Sequence, residues 1–137
     1  MDPTMIPVEL SRIVINESND EQVIFLKEKA GSRSFPIVIG IFEAAAIDRI
    51  IKERQTPRPL THDLIGGVVR ALGGRIVRIM IDEIRGDTYY AKIILMHDTE
   101  ELAVDARPSD AITLALQASA PILVSEPVMN AVCPTEA

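Results

Sequence analysis

The sequence predicts an α+β domain: a mostly antiparallel, twisted sheet with about three helices packed on it. Three observations carry that expectation. Segments with two-residue and 3.6-residue hydrophobic periods come in blocks, in the order β-β-β-α-α-β-β-β-α-β, so strands and helices are segregated rather than alternating. Two polar turn clusters, at 16–20 and at Gly86-Asp87, each divide a pair of β-like runs. No glycine-rich phosphate loop follows the first strand and no GxxxxGK[ST] occurs, which argues against a doubly wound nucleotide-binding sheet. Residues 1–137 read as one domain, long enough for a real core, with the tail from about residue 126 peripheral.

The elements follow in order. Val8 to Ile15 and Gln22 to Lys29 are β-like runs joined by Asn16-Glu17-Ser18-Asn19-Asp20, and they should pair as an antiparallel hairpin. Phe35 to Ile39 is a short β-branched run closed by Gly40. From Ile41 the period lengthens: Phe42, Ala46 and Ile50 share a helical face, with Ile47 and Ile51 beside them. Pro57 and Pro59 stop that helix. Thr61 is placed to cap a second helix, in which Leu64, Ile65, Val68, Val69 and Leu72 line one face and Gly73-Gly74 marks the end. Gly66-Gly67 inside it costs about 1 kcal/mol per glycine against alanine, which suggests close backbone packing or simply a tolerated weakness.

Arg75 to Arg85 and Thr88 to His97 form a second hairpin. Simple alternation puts Ile76, Arg78, Met80 and Asp82 on one face and Val77, Ile79, Ile81 and Glu83 on the other. Asp98-Thr99-Glu100 turns into a strand that ends at Ala106. Pro108 suits the first turn of a third helix, almost wholly apolar from Ala111 to Ala118. Pro121 to Val124 is a last strand, Glu126 to Val132 adds one helical turn, and the tail should fray.

Composition narrows the function classes. No apolar run reaches the ~18 residues of a membrane span, and the N-terminus lacks the basic start and apolar core of a signal peptide. Cys133 is the one cysteine, so no internal disulfide or thiolate zinc cluster is available, and a reducing, cytoplasmic setting is the expectation. The net charge of −6 cuts against non-specific nucleic-acid binding by charge alone. An acidic chain that processes nucleic acid needs a local basic strip or a bound metal. Candidate strips are Arg49, Lys52, Arg54 and Arg58, then Arg70, Arg75 and Arg78. With 47% apolar residues and aliphatics on both faces of the second hairpin, a homo-oligomer is expected, a dimer being the simplest case.

The segment from Val104 to Ile112 is the richest in chemistry. It sets Asp105, Arg107, Ser109 and Asp110 at a strand-to-helix junction, where free N–H groups and the helix dipole favour an anion. Arg107 is a fork for phosphate, while Asp105 and Asp110 can hold a hard cation such as Mg²⁺ or Mn²⁺. The same residues also read as a helix cap, through Ser109 or Asp110, plus an ion pair between Arg107 and Asp105. Thr61-His62-Asp63 opens the second helix, where His62 suits proton transfer or metal binding and Asp63 can orient it. Glu43 sits in the first turn of a small-residue helix, so close packing can give it a role.

Three segments in register resemble the bifunctional nuclease domain family of small bacterial proteins with plant relatives. They are Pro36 to Gly40 running into Glu43-Ala44, Pro57 to Leu64, and Asp105 to Ile112 followed by Ala120-Pro121-Ile122 and Val124-Ser125. The resemblance implies an α+β fold, homo-oligomers, and nuclease activity on DNA and RNA. The residues that match the motifs are Glu43, Arg58, Thr61, His62, Asp63, Asp105, Arg107, Ser109 and Asp110. A metal-assisted phosphodiesterase would use Glu43, His62, Asp63, Asp105 and Asp110 catalytically, with Asp105 and Asp110 on the ion and Arg58, Arg107 and Ser109 on substrate. Those distant segments should then converge on one site. The competing class is a non-catalytic assembly module that binds a small anion or protein partner with the same residues.

Overall fold

The computed structural model describes residues 3–16 and 18–133. Glu17 of the first turn cluster, and the last four residues where fraying is expected, lie outside the described residues. The strands are β1 (Met5–Val14), β2 (Glu21–Glu28), β3 (Ser34–Gly40), β4 (Gly74–Arg85), β5 (Thr88–His97), β6 (Glu100–Ala106) and β7 (Ile122–Ser125). They form one sheet in the order β3-β2-β1-β7-β4-β5-β6. All neighbours are antiparallel except β4 with β7. The helices are α1 (Ile41–Ile51), α2 (Thr61–Ala71), α3 (Pro108–Ala118) and α4 (Glu126–Val132). The expected α+β class holds.

Short-range chemistry builds the two hairpin units. The buried Gln22 side chain donates to the Asn16 and Asn19 carbonyls at 2.8 and 2.6 Å and accepts the Asn16 N–H, tying the first turn shut. Gly86, at φ 60°, supplies the left-handed residue of the turn between Arg85 and Thr88. The late strand β7 then slots between the units, antiparallel to Met5–Val8 and parallel to Ile79–Ile81.

Directly opposed residues share a face, so the register defines the core side of the sheet. Leu26 faces Phe35, Ile24 faces Ile37, Ile79 faces Ile93, and Ile122 lies between Val8 and Ile79. Ala44 and Ile47 of α1, Ala111 to Ala115 of α3, and Val128 and Met129 of α4 close over them in one cluster. The other face carries polar pairs: Arg12 over the Phe25 ring at 4.2 Å, Lys92 with Asp82 at 2.8 Å, and Arg78 with Glu101 at 2.7 Å.

Five local expectations are corrected. First, β4 does not alternate throughout. Bulges leave Val77 and Asp82 unopposed, so Ile76, Ile79, Ile81 and Ile84 all reach the core although two of their spacings are three residues. Second, α1 buries Ala44, Ala46 and Ile47, while Phe42 is 84% exposed, because the small residues allow α1 to lie against α3. Third, α2 faces inward with Gly66, and Val69 touches the space beside Gly74. Leu64, Ile65, Val68 and Leu72 point outward. A side chain at Gly67 would meet nothing, and one at Gly66 would meet only the Arg70 guanidinium, so close packing explains neither glycine. Fourth, Thr61 is not the cap: the Leu60 N–H donates to Asp63 Oδ2 at 2.8 Å from within the first turn. Fifth, the helix from Glu126 is not peripheral. Ser125 caps it, Val128 and Met129 are buried, and Arg33 ties Glu126 to Glu28 at 3.0 and 2.9 Å.

Candidate functional site

The first turns of α1, α2 and α3 end in one region, and each contributes a polar side chain there. Glu43 comes from α1, His62 from α2 and Asp110 from α3, with Arg107 directly before α3. Gly40, directly before α1, is part of this construction. A Cβ there would strike the Glu43 carboxylate, so the missing side chain makes room for it.

Asp110 is the hub. His62 Nε2 lies 2.9 Å from Oδ1, Arg107 Nε donates to Oδ2 at 2.9 Å, and a second guanidinium nitrogen reaches Oδ1 at 3.3 Å. Arg107 also approaches Glu43, at 4.0 Å. Burial works against the Asp110 charge, but hydrogen bonds from Arg107 and His62 outweigh it and hold its carboxyl below the ordinary aspartate value. The same Asp110 contact pushes the Arg107 guanidinium up. An ionised carboxylate can only accept, so a proton sits on His62 Nε2 on this side, and whenever the ring is neutral its lone pair is on Nδ1. Asp110 therefore does not cap α3, whose N-terminus has no side-chain cap. Arg107 pairs with Asp110 rather than with Asp105.

This cluster lies in a groove of about 960 Å³ with an apolar rim that includes Phe42, Leu64, Ile65 and Val104. The rim side chains are themselves exposed, so the groove sets open apolar surface beside a polar centre, a combination found at ligand sites.

The other expected site residues stay outside this hydrogen-bonded cluster, although Asp105 lines the same groove. Asp105 lies directly across from Lys92, while its neighbours Val104 and Ala106 lie across from Ile93 and Ala91 of the core face. Period two therefore turns the Asp105 side chain to the opposite face of the sheet from Val104, beside Lys92, whose ammonium it helps to hold charged. Asp63, one position past His62, accepts from Leu60 N–H and from Gln117 Nε2 at 2.6 Å, so it holds the α2 start rather than the imidazole. Gln117 was not singled out by the sequence reading, although an amide in an otherwise apolar helix was a usable signal. Arg58 lines an adjoining recess with Arg49, Arg54 and Asp63. Ser109 is buried and lines a third groove with Asp20, Glu21 and Asp87 that Glu43 and Arg107 also border, while its carbonyl accepts from Thr113 at 2.7 Å.

These positions bear on a divalent ion. Asp105 and Asp110 line one groove, but Asp105 stands across from Lys92 and both Asp110 oxygens already accept from Arg107 or His62. Among the described residues no three His, Cys, Asp or Glu side chains are grouped as a metal cage. The donors do not fit Mg²⁺ or Mn²⁺ shared between these two aspartates. The chemistry on hand is proton transfer at His62 and anion recognition at Arg107.

No helix among the described residues is long and apolar enough to cross a membrane. The family described as bifunctional nuclease domain matches residues 24–135. An uncharacterized protein of Mycobacterium tuberculosis is 38% identical over 122 residues, covering 89% of this chain and 73% of the relative. A protein of Oryza sativa subsp. indica named bifunctional nuclease 1 is 25% identical over 115 residues, covering 81% of this chain and 35% of its own length. Bifunctional nuclease 2 of Oryza sativa subsp. japonica is 26% identical over 114 residues, covering 80% of this chain and 35% of the relative.

Proposed function

The chain belongs to the bifunctional nuclease domain family, and from that premise we propose that it cleaves phosphodiester bonds in DNA and RNA at the groove holding His62, Asp110, Arg107 and Glu43. The observation that carries this reading is the contact between His62 and Asp110, brought together at 2.9 Å from positions 48 apart. A helix cap needs only its own helix; Asp110 instead spends its carboxylate on a residue of another.

In the proposed reaction Asp110 holds the imidazole with Nδ1 free. That nitrogen accepts the proton of an attacking water, or of the ribose 2′-hydroxyl in RNA, as the new oxygen–phosphorus bond forms. The ester bond to the leaving oxygen breaks, and that oxygen takes a proton from the imidazolium or from water. Arg107 retains N–H donors beyond those spent on Asp110 and faces the charge that builds on the phosphate oxygens. Glu43 is a positioning residue that steadies the guanidinium. No step runs through a metal ion, so removing divalent metal with EDTA is expected to leave cleavage within a few-fold. Complete loss with EDTA would put a metal in the reaction.

A second reading, an assembly module, is favoured by one observation. Leu64, Val68 and Leu72 form an outward stripe along α2 at 59%, 49% and 72% exposure, next to Phe42. Spacings of four residues keep them on one helical face, which suits docking of a second copy. The two readings are compatible in a homodimer whose interface borders the groove.

The deciding experiment assays protein purified to a single chromatographic peak on labelled single-stranded DNA and RNA. Cleavage should co-elute with the protein and fall at least ~100-fold in His62→Ala, the usual scale of general acid–base catalysis. Activity that separates from the protein peak overturns the nuclease reading and leaves the assembly one, and co-eluting activity that survives in His62→Ala overturns the placement of the reaction at this groove.

A further inference from the structure

We propose that Arg49, Arg54 and Arg58 form a phosphate-binding subsite that holds the backbone of a single nucleic-acid strand beside the His62–Asp110 centre. The inference rests on the nuclease reading of that centre and names the part that gives it affinity.

The need comes from charge. The reactive cluster sets two carboxylates, Asp110 and Glu43, against the one guanidinium of Arg107, so it offers no surplus of positive charge to a polyanion. The whole chain stands at −6. A polyanion will not be drawn there unless a local positive surface offsets that field.

The three arginines supply one. They line a single recess of about 350 Å³ with Pro57, Pro59 and Gln117. Arg49 also lines the His62–Asp110 groove, so the two spaces meet at its side chain. The backbone that carries the arginines is fixed. Glu53 takes a left-handed turn at φ 55°, and the Arg54 N–H returns to the Arg49 carbonyl at 3.0 Å. Thr56 Oγ1 donates to the Arg58 carbonyl at 2.8 Å, and Pro57 and Pro59 restrict the rest.

None of the three is in an ion pair among the described residues, whereas Lys52 nearby is held by Asp48 at 3.0 Å. The carboxylate in the recess, Asp63, is already taken by Leu60 N–H and Gln117. The C-terminal end of α1 accounts for one basic residue, Arg49 in its last turn, but not for three. Three guanidinium groups around one recess repel each other until an anion enters, and phosphate matches their forked donors.

The test measures binding of a short fluorescein-labelled single-stranded oligonucleotide by polarisation across a salt series, with DNA and RNA versions. A His62→Ala background keeps the probe intact. Replacing all three arginines by glutamine should weaken binding at least tenfold at low salt. The slope of log K against log salt should flatten by about 0.7 per lost phosphate contact. Arg70→Gln with Arg75→Gln, exposed positions outside the recess, should change binding less than twofold. An unchanged affinity and slope in the triple variant overturns the subsite, as does an equal loss in the Arg70/Arg75 control or no binding by the parent. Melting temperatures confirm that each variant folds, and single Arg58→Gln, at an exposed loop position, is the fallback readout. Cleavage that persists with unaltered KM in the triple variant sinks the subsite alone. Arginine-dependent binding without any cleavage sinks the nuclease reading alone.

Discussion

Asp110→Asn separates a reactive carboxylate from a structural one. The asparagine keeps the shape but loses the charge, and its amide can present N–H to the imidazole and so favour the wrong tautomer. The stability cost follows from exposure. The Asp110 and His62 side chains are 29% and 16% exposed, so their contact is partly desolvated, whereas Arg107 is 65% exposed and its ion pair is screened. A hydrogen bond to a charged group is worth about 1.5–3 kcal/mol and an exposed pair about 0–1. Because the asparagine retains one acceptor, the net loss is expected to be about 1–2 kcal/mol, a fall of several degrees in Tm for a domain of this size. Cleavage should fall far more, by about 10²–10⁴-fold, the range lost when a general base is mis-set. The pH dependence has a definite sign. The folded Asp110 has a lowered pKa, so its contribution is present above the unfolded aspartate value and is lost as pH falls through the folded one. The Tm gap between parent and variant should therefore close on the acid side. Calorimetry and a single-turnover assay on one preparation give both numbers. Activity within twofold of the parent, or an activity loss no larger than the loss of folded protein, refutes the assignment.

Three further outcomes are expected. Leu64→Asp with Val68→Asp should shift a dimer to monomer by light scattering at micromolar concentration, and a parent that is already monomeric contradicts the α2 docking face. Ile81→Ala, at a fully buried position, should cost about 2–5 kcal/mol in denaturant titration, and a loss under 1 kcal/mol would mean that the β4 register is wrong. Gly40→Ala should displace the Glu43 carboxylate and lower kcat more than it raises KM, and unchanged kcat would remove Glu43 from the positioning role.

The hairpins were legible because their turns are local: Asn16 to Asp20 and Gly86-Asp87 announce themselves without tertiary help. Helix faces were less so. In α2 the larger aliphatics point outward and a glycine faces in, so the face with the greater hydrophobicity is not the packed one. The β4 bulges at Val77 and Asp82 likewise come from pairing with β5, which no period within β4 encodes. The site was half legible. Glu43, His62, Arg107 and Asp110 were marked by residue type at helix starts, and the fold brings those starts together. Asp105 and Asp63 carried the same signal but do not join the hydrogen-bonded cluster, although Asp105 lines its groove. The register against Lys92 decides one, and a contact with Gln117, 54 residues away, decides the other.

A crystal structure with a non-cleavable oligonucleotide bound tests the central claim most directly. The account predicts a backbone phosphate within hydrogen-bond distance of Arg107 and facing His62 Nδ1, with a neighbouring phosphate in the recess of Arg49, Arg54 and Arg58. A strand that lies on another face, with the His62–Asp110 groove empty, would contradict it.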